Sequence, residues 1–528
     1  MYISYNVVDG NEYATAVRSV RSGEKVTKED RVYLGRVVDK SRGIYRSKKR
    51  GLFTYDVETG EFGRAPDDAE GIQPRRRNAR PERPRLSYSF GDVYLLCRFL
   101  KSSGLMACAD ACGHASPDTV RALLCFYVLT SLANCHAEDW WGLTFASLLF
   151  PSARMGSQRV SEALADLGSE DAKRGFMRAY LGLLGKGKGA GRGDGKAGPA
   201  EDGGILIDST GLPNSSRLPC TAVSNHNGEV SEEVRLIYVV QQGTGLPLFF
   251  RYVAGNVVDV STVTRTIAEL KALGINTKFA ILDAGYYSHA NADALMEAGV
   301  SFLTRMRSTF TVYKDLVRDH LAGLESRENV VLYHGRFVYV ECHEVKLGAK
   351  ANRRGYAYLC KDSAMRRELE RDAARRATER GTKAAEAFDG LAEQGVFVLV
   401  SSRRIAKEKL LDLYYTRDQV EKVFEVCKQD AKALPVAVQG EETFRGHLLM
   451  CFMATVAHRM MADVLSSKAP RSGLTVSSML SILHEQHAIA YDGQYVTTEP
   501  TKKMGLAYKA FGIRCPDVIT DPAGLIVG

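Results

Sequence analysis

A chain of 528 residues is longer than one compact core organises and implies two to four domains. With 45% hydrophobic and 25% charged residues it is excluded from the disordered and low-complexity classes, and apolar stretches such as Leu448–Val456 are too short or too interrupted to span a bilayer. The net charge is +9, and residues 1–85 hold 19 Lys and Arg against 13 Asp and Glu, a bias that suits a polyanionic partner or a well-solvated surface.

The eleven cysteines show no paired framework, and no charged-then-apolar leader opens the chain, so a reducing cytoplasm is expected. Residues 1–73 read as a small, basic, β-rich module, with strands near Arg31–Val38 and Gly51–Tyr55 around the basic loop Lys40–Arg50. The Pro/Arg-rich segment from Pro74 to Arg85 cannot hold a regular helix, and 74–89 is expected to be a linker.

Residues 90–184 turn helical, with apolar positions recurring at three and four along Val93–Leu100 and Val120–Leu132. Ser157 is the expected cap of an amphipathic helix that serves either DNA reading or, as the stronger expectation, ordinary helical packing. The Gly-rich tract 185–204 reads as a flexible linker; without a closing Gly-Lys-Ser/Thr or a preceding strand it is no phosphate loop.

Beyond it the order of elements becomes informative. Strands are expected at Ile205–Asp208, Val234–Val240 and Leu246–Val253, then a helix over Val260–Leu273, a strand at Lys278–Asp283, a helix at Ala290–Ala298 and a strand at Ser301–Arg305. An apolar strand, Gly395–Ser401, precedes a helix from about Ile405 to Asp430. Hairpin strands followed by alternating strands and helices describe an α/β mixed sheet of ribonuclease-H-like order, over 205–306 and 395–465. Residues 307–394 read as an insertion domain interrupting that core, and 466–528 as a C-terminal region.

Asp208 (ILIDST) and Asp283 (FAILDAGYYS) stand at the ends of apolar strands, exposed at a sheet edge yet rigidly held. On one helical wheel Tyr414, Arg417, Glu421 and Lys428 fall within about 60° of one another, beside an apolar stripe of Val420, Val423, Phe424 and Cys427. A lone strand-end Asp is more often a turn residue, and an Arg-x3-Glu pair more often a surface ion pair. The conjunction overrides both. Three converging carboxylates require a cation, and hard oxygen donors favour Mg²⁺ or Mn²⁺, two of which can assist in-line displacement at phosphorus.

At these residues the sequence resembles the DDE insertion-sequence transposases with the signature Tyr-x2-Arg-x3-Glu-x6-Lys, complete here as Tyr414, Arg417, Glu421 and Lys428. The resemblance extends to Asp208-Ser209-Thr210, to Gly255-Asn256-x2-Asp259 and to Asp283-Ala284-Gly285-Tyr286-Tyr287-Ser288, over roughly 205–460. It implies a ribonuclease-H-like catalytic core with an insertion before the glutamate. It also implies that Asp208, Asp283 and Glu421 hold the metals, while Tyr414, Arg417 and Lys428 grip transposon-end DNA. The partners implied are double-stranded DNA (terminal inverted repeats and target) and a second copy of the chain in the synaptic complex, with no membrane and a cytoplasmic, nucleoid-associated location.

Three readings stay secondary. A nuclease of the same fold, or an inactive DNA-binding derivative, would carry the same core. Asp259 reads as the cap of helix Val260–Leu273 ahead of a place at the active site. Cys108, Cys112 and His114 lack the paired spacing of a zinc site and read as reduced, partly buried thiols with a structural histidine, as His447 and His458 read as packing residues.

Overall fold

The computed structural model describes residues 1–8, 11–22, 25–47, 50–66, 86–186, 204–214, 216, 218–226, 229–350, 352–380, 394–436 and 438–527. Most of the Pro/Arg-rich and Gly-rich linker segments, and the end of the 307–394 segment, lie outside the described residues. Contacts divide the chain into Met1–Leu86 and Ser87–Gly528.

The first unit is a six-stranded antiparallel meander in chain order: β1 (Tyr2–Val8), β2 (Asn11–Ser22), β3 (Lys25–Asp39), β4 (Ile44–Ser47), β5 (Gly51–Tyr55) and β6 (Phe62–Arg64). Alternation places Tyr45, Phe53 and Tyr55 in a small core with Ala14, Ala16, Leu34 and Val37. The β3–β4 turn is held by the Asp39 carboxylate, which accepts from the backbone N–H groups of Ser41 and Arg42.

In the second unit β7 (Ser87–Ser89) precedes the helices Gly91–Ser102, Leu105–Asp110, Pro117–Leu129, Ala137–Leu143, Ala146–Leu149, Ser157–Leu167 and Glu170–Lys186. Ser157 is not the cap of its helix; Gly156 takes that position and no side chain bonds the first turn. Val160, Ala163, Leu164 and Leu167 are buried, while Gln158 and Arg159 bond Glu162 on the outer face, so this helix spends its apolar side on packing.

A ten-stranded mixed sheet follows: β8 (Ile205–Pro213), β9 (Ala222–His226), β10 (Glu229–Gln241), β11 (Pro247–Ala254), β12 (Phe279–Leu282), β13 (Ser301–Met306), β14 (Val330–Tyr333), β15 (Arg336–Lys346), β16 (Arg354–Asp362) and β17 (Val396–Ser401). Its spatial order is β11-β10-β8-β12-β13-β17-β16-β15-β14, with β9 also paired to β10. β8, β10 and β11 are antiparallel neighbours, whereas β12 runs parallel to β8 and β13 parallel to β12. The parallel crossovers use helices Val263–Ala272 and His289–Glu297. β12 and β17 are buried throughout, as central strands covered on both faces must be. The described part of 307–394 extends this same sheet: β17 pairs antiparallel with β13 on one side and β16 on the other, and β15 and β14 follow.

Helix Glu441–Lys468 forms the hub of the unit. By length and composition it could cross a membrane, unlike the shorter apolar runs expected from the sequence, but 72% of its apolar stretch is buried within the protein. His447 bonds the Tyr127 hydroxyl through Nδ1 at 2.7 Å and His458 meets the Val128 carbonyl at 3.2 Å. Gly446 lets the backbone of helix Ser157–Leu167 approach, since a Cβ there would overlap the Leu164 carbonyl. Gly446→Ala is expected to cost about 2 kcal/mol, read as a lower urea midpoint at unchanged m-value.

The last residues add helices Val476–His484 and Lys502–Phe511, with β18 (His487–Tyr491), β19 (Gln494–Thr497) and β20 (Val518–Ile519). Their sheet, ordered β20-β19-β18-β7, takes its fourth strand from the start of the unit.

Candidate active site

Asp208 does not end its strand as expected, since β8 runs on to Pro213 along β10, but it stands beside Asp283, which directly follows β12. β8 and β12 are parallel with Ile207 opposite Leu282, so the residues that follow these two are neighbours. The buried runs Ile205–Ile207 and Phe279–Leu282 anchor the backbone just before each aspartate. Burial pushes the Asp208 carboxyl up to about 7 against the pull of Arg417, with Asp283 and Asp259 adding to the rise and the Ser209 N–H opposing it. That N–H donates to Oδ1 at 2.8 Å.

Glu421 arrives from a third segment. The helix expected from Ile405 to Asp430 is in fact two, Lys407–Tyr415 and Asp418–Gln429, joined through short-range bonds from Arg417 N–H to the Tyr414 carbonyl and from Val420 N–H to the Arg417 carbonyl. Tyr414 and Glu421 therefore do not share one continuous helical face. Arg417 stands at the break, and its guanidinium meets all three carboxylates: Asp283, Glu421 at 2.7 Å and Asp208 at 3.8 Å. Burial works against its charge, yet Asp283 and Asp208 hold its pKa above the ordinary value.

Tyr414, Arg417, Glu421, Asp283 and Arg305 line one cavity of about 620 Å³. Tyr414 is buried against it, which pushes its phenol up to about 12. Lys428 stands outside that cavity, about 10 Å further along the helix axis than Glu421. It is half-buried, and burial lowers its pKa while Cys427 and Glu233 oppose the fall. The structure thus brings together five of the six expected site residues and sets Lys428 apart.

Asp259 does not cap the helix that follows; Thr262 holds that position, and its hydroxyl donates back to the Asp259 carbonyl and bonds none of the first-turn N–H groups. Its carboxylate instead accepts from the Ser209 hydroxyl at 2.6 Å and from Arg235 at 3.1 Å. Arg235, on β10, is buried and also faces Glu233 at 3.5 Å. This ion-pair network lies directly behind Asp208 and orients the residue next to it. A charged triplet in a strand, Glu232-Glu233-x-Arg235, was its sequence signal, since charges are rare in a central strand unless paired. Asp259→Ala leaves a buried guanidinium with a single carboxylate and is expected to cost about 3 kcal/mol in chemical denaturation. Arg235→Met combined with it should recover part of that loss.

Cys108 and Cys112 are buried thiols, pushed up to about 11 and about 12 by burial, and His114 Nδ1 bonds backbone groups of Ser116.

The chemistry of the donor set at Asp208, Asp283 and Glu421 suits a hard divalent cation: one carboxylate oxygen from each of three segments faces a single guanidinium, which supplies the positive charge. Among solved structures the chain is similar to a piggyBac transposase synaptic complex with hairpin DNA, at 11% identity and a TM-score of 0.38 over 80% of this chain and 79% of that one. No curated protein matches it. Residues 199–457, which carry all three carboxylates and Arg417, match the family described as the transposase DDE domain.

Proposed function

We propose that the chain is a DNA transposase that cleaves at transposon ends and transfers the 3′ hydroxyl into target DNA, with Asp208, Asp283 and Glu421 as its catalytic carboxylates. The observation that carries this is their convergence from three separate segments upon Arg417, inside the stretch that matches the transposase DDE domain. The strand order β11-β10-β8-β12-β13, with its two parallel additions, supports a ribonuclease-H-like core.

The three carboxylates would hold Mg²⁺ or Mn²⁺ as a pair of ions, whose positive charge balances theirs. When bound, these supply Lewis-acid stabilisation of the attacking and leaving oxygens. The chain's own residues position the DNA. Arg417, whose guanidinium lies against every carboxylate, would donate to two oxygens of one phosphate, and Arg305 widens the basic wall of the cavity. Tyr414 keeps its proton through neutral pH and offers a hydroxyl donor. Lys428, farther along the helix, would reach phosphates outside the scissile step. The basic N-terminal module and the helical region 90–184 are the proposed sites of further DNA contact. The partners are terminal-repeat and target DNA and a second copy of the chain, and the location is the cytoplasm, at the nucleoid.

The test is a labelled duplex from the inverted repeats flanking the gene, incubated with the protein, Mg²⁺ and supercoiled plasmid. Joined product is expected. Cleavage without joining would make the protein a nuclease of the same fold; binding without either would make it an inactive derivative.

A further inference from the structure

Away from the carboxylates, two imidazoles and one carboxylate converge on a point that the activity above does not use. His320 ends helix Thr311–His320, while Glu341 and His343 sit two residues apart on β15 and so share one face. One nitrogen or oxygen from each lies within 4.8 Å of the others. The geometry is more specific than proximity. His320 Nδ1 and His343 Nε2 each stand 3.4 Å from the same oxygen, Glu341 Oε1. That is the edge of a tetrahedron with bonds of about 2.1 Å, the length of zinc bonds to imidazole and carboxylate.

Hydrogen bonding does not explain the arrangement. The His343 Nε2 atom is buried and makes no hydrogen bond. The two rings lie 4.0 Å apart between centroids, an approach that suits neutral, ligating imidazoles and not two cations.

We propose that His320, Glu341 and His343 bind one zinc-class transition-metal ion, with the fourth position left to solvent. Two imidazoles select borderline ions over Mg²⁺, so this site and the carboxylate triad discriminate between metals. The ion ties the end of helix Thr311–His320 to β15, holding together the segment that lies between β13 and β17 in sequence and extends the sheet beyond β17.

The experiment uses the full chain, stripped with chelator and then titrated with Co²⁺ and Zn²⁺ in the presence of excess Mg²⁺. One equivalent of Co²⁺ is expected to give visible ligand-field bands of four-coordinate N/O type, displaced by Zn²⁺ but not by Mg²⁺. The bands should persist in Asp208→Asn/Asp283→Asn/Glu421→Gln and vanish in His343→Gln, whose fold is checked by circular dichroism. Glu341→Gln should weaken binding at least tenfold. Absence of bands in the wild type, an intense near-ultraviolet thiolate band, or unchanged spectra in His343→Gln would each overturn the site. Should His343→Gln fail to fold, His320→Gln and the wild-type spectrum decide the matter.

Discussion

Asp208→Asn, Asp283→Asn and Glu421→Gln are each expected to lower Mg²⁺-dependent cleavage and joining by about 10³-fold or more, with DNA binding retained. Each change removes one formal charge from a cluster that shares a single guanidinium. Pairs of these substitutions should cost little more than one, because residues acting as a unit are not additive. The measurement is single-turnover nicking of the labelled end beside an electrophoretic binding assay. Near-wild-type nicking by any one variant would remove that residue from the catalytic set. Arg417→Ala should behave differently, losing affinity for DNA and tightening with lower salt.

Lys432→Met is expected to stabilise the protein by about 2–4 kcal/mol at pH 7. The Lys432 Nζ is buried, makes no hydrogen bond and lies 3.0 Å from the centre of the Phe126 ring. Burial pushes its pKa down to about 6, with Cys451 opposing. The unfolded chain, with an ordinary lysine, holds a proton that the folded chain lacks between about pH 6 and pH 10. Through this group stability therefore rises with pH across that window, and the penalty is complete below it. Urea unfolding at pH 7 and pH 9 should show the wild type gaining on the variant as pH rises. A variant that is less stable than the wild type at pH 7 would mean that Lys432 carries an interaction other than its burial cost.

Much of the site was legible because its parts obey local rules. Asp208 and Asp283 each end a run of apolar residues, and that pattern marks both strands; the polar continuation of β8 to Pro213, paired along β10, is not part of it. The features that local rules missed are decided by distant partners. Asp259 has the composition of a helix cap, but an ion pair with buried Arg235 on a strand 24 residues earlier prevails. The break between Tyr414 and Asp418 contains neither Gly nor Pro, so no propensity marks it; it falls where the Arg417 side chain turns to three carboxylates. Likewise β17 reads as a strand from its six buried residues, whereas its antiparallel place between β13 and β16 is a long-range pairing that periodicity does not encode.

The pairing of β7 with β18 has a consequence for biosynthesis. Ser87 and His487, 400 positions apart, are hydrogen-bonded neighbours, and Ser89 and Asp92 both reach His484. On the ribosome every carboxylate of the catalytic set emerges before the partners of β7 are made. Domain-wise folding during synthesis is then postponed for this unit until its final strands are released. Nascent chains should accordingly show the N-terminal meander protected from protease early, and the catalytic unit only at termination.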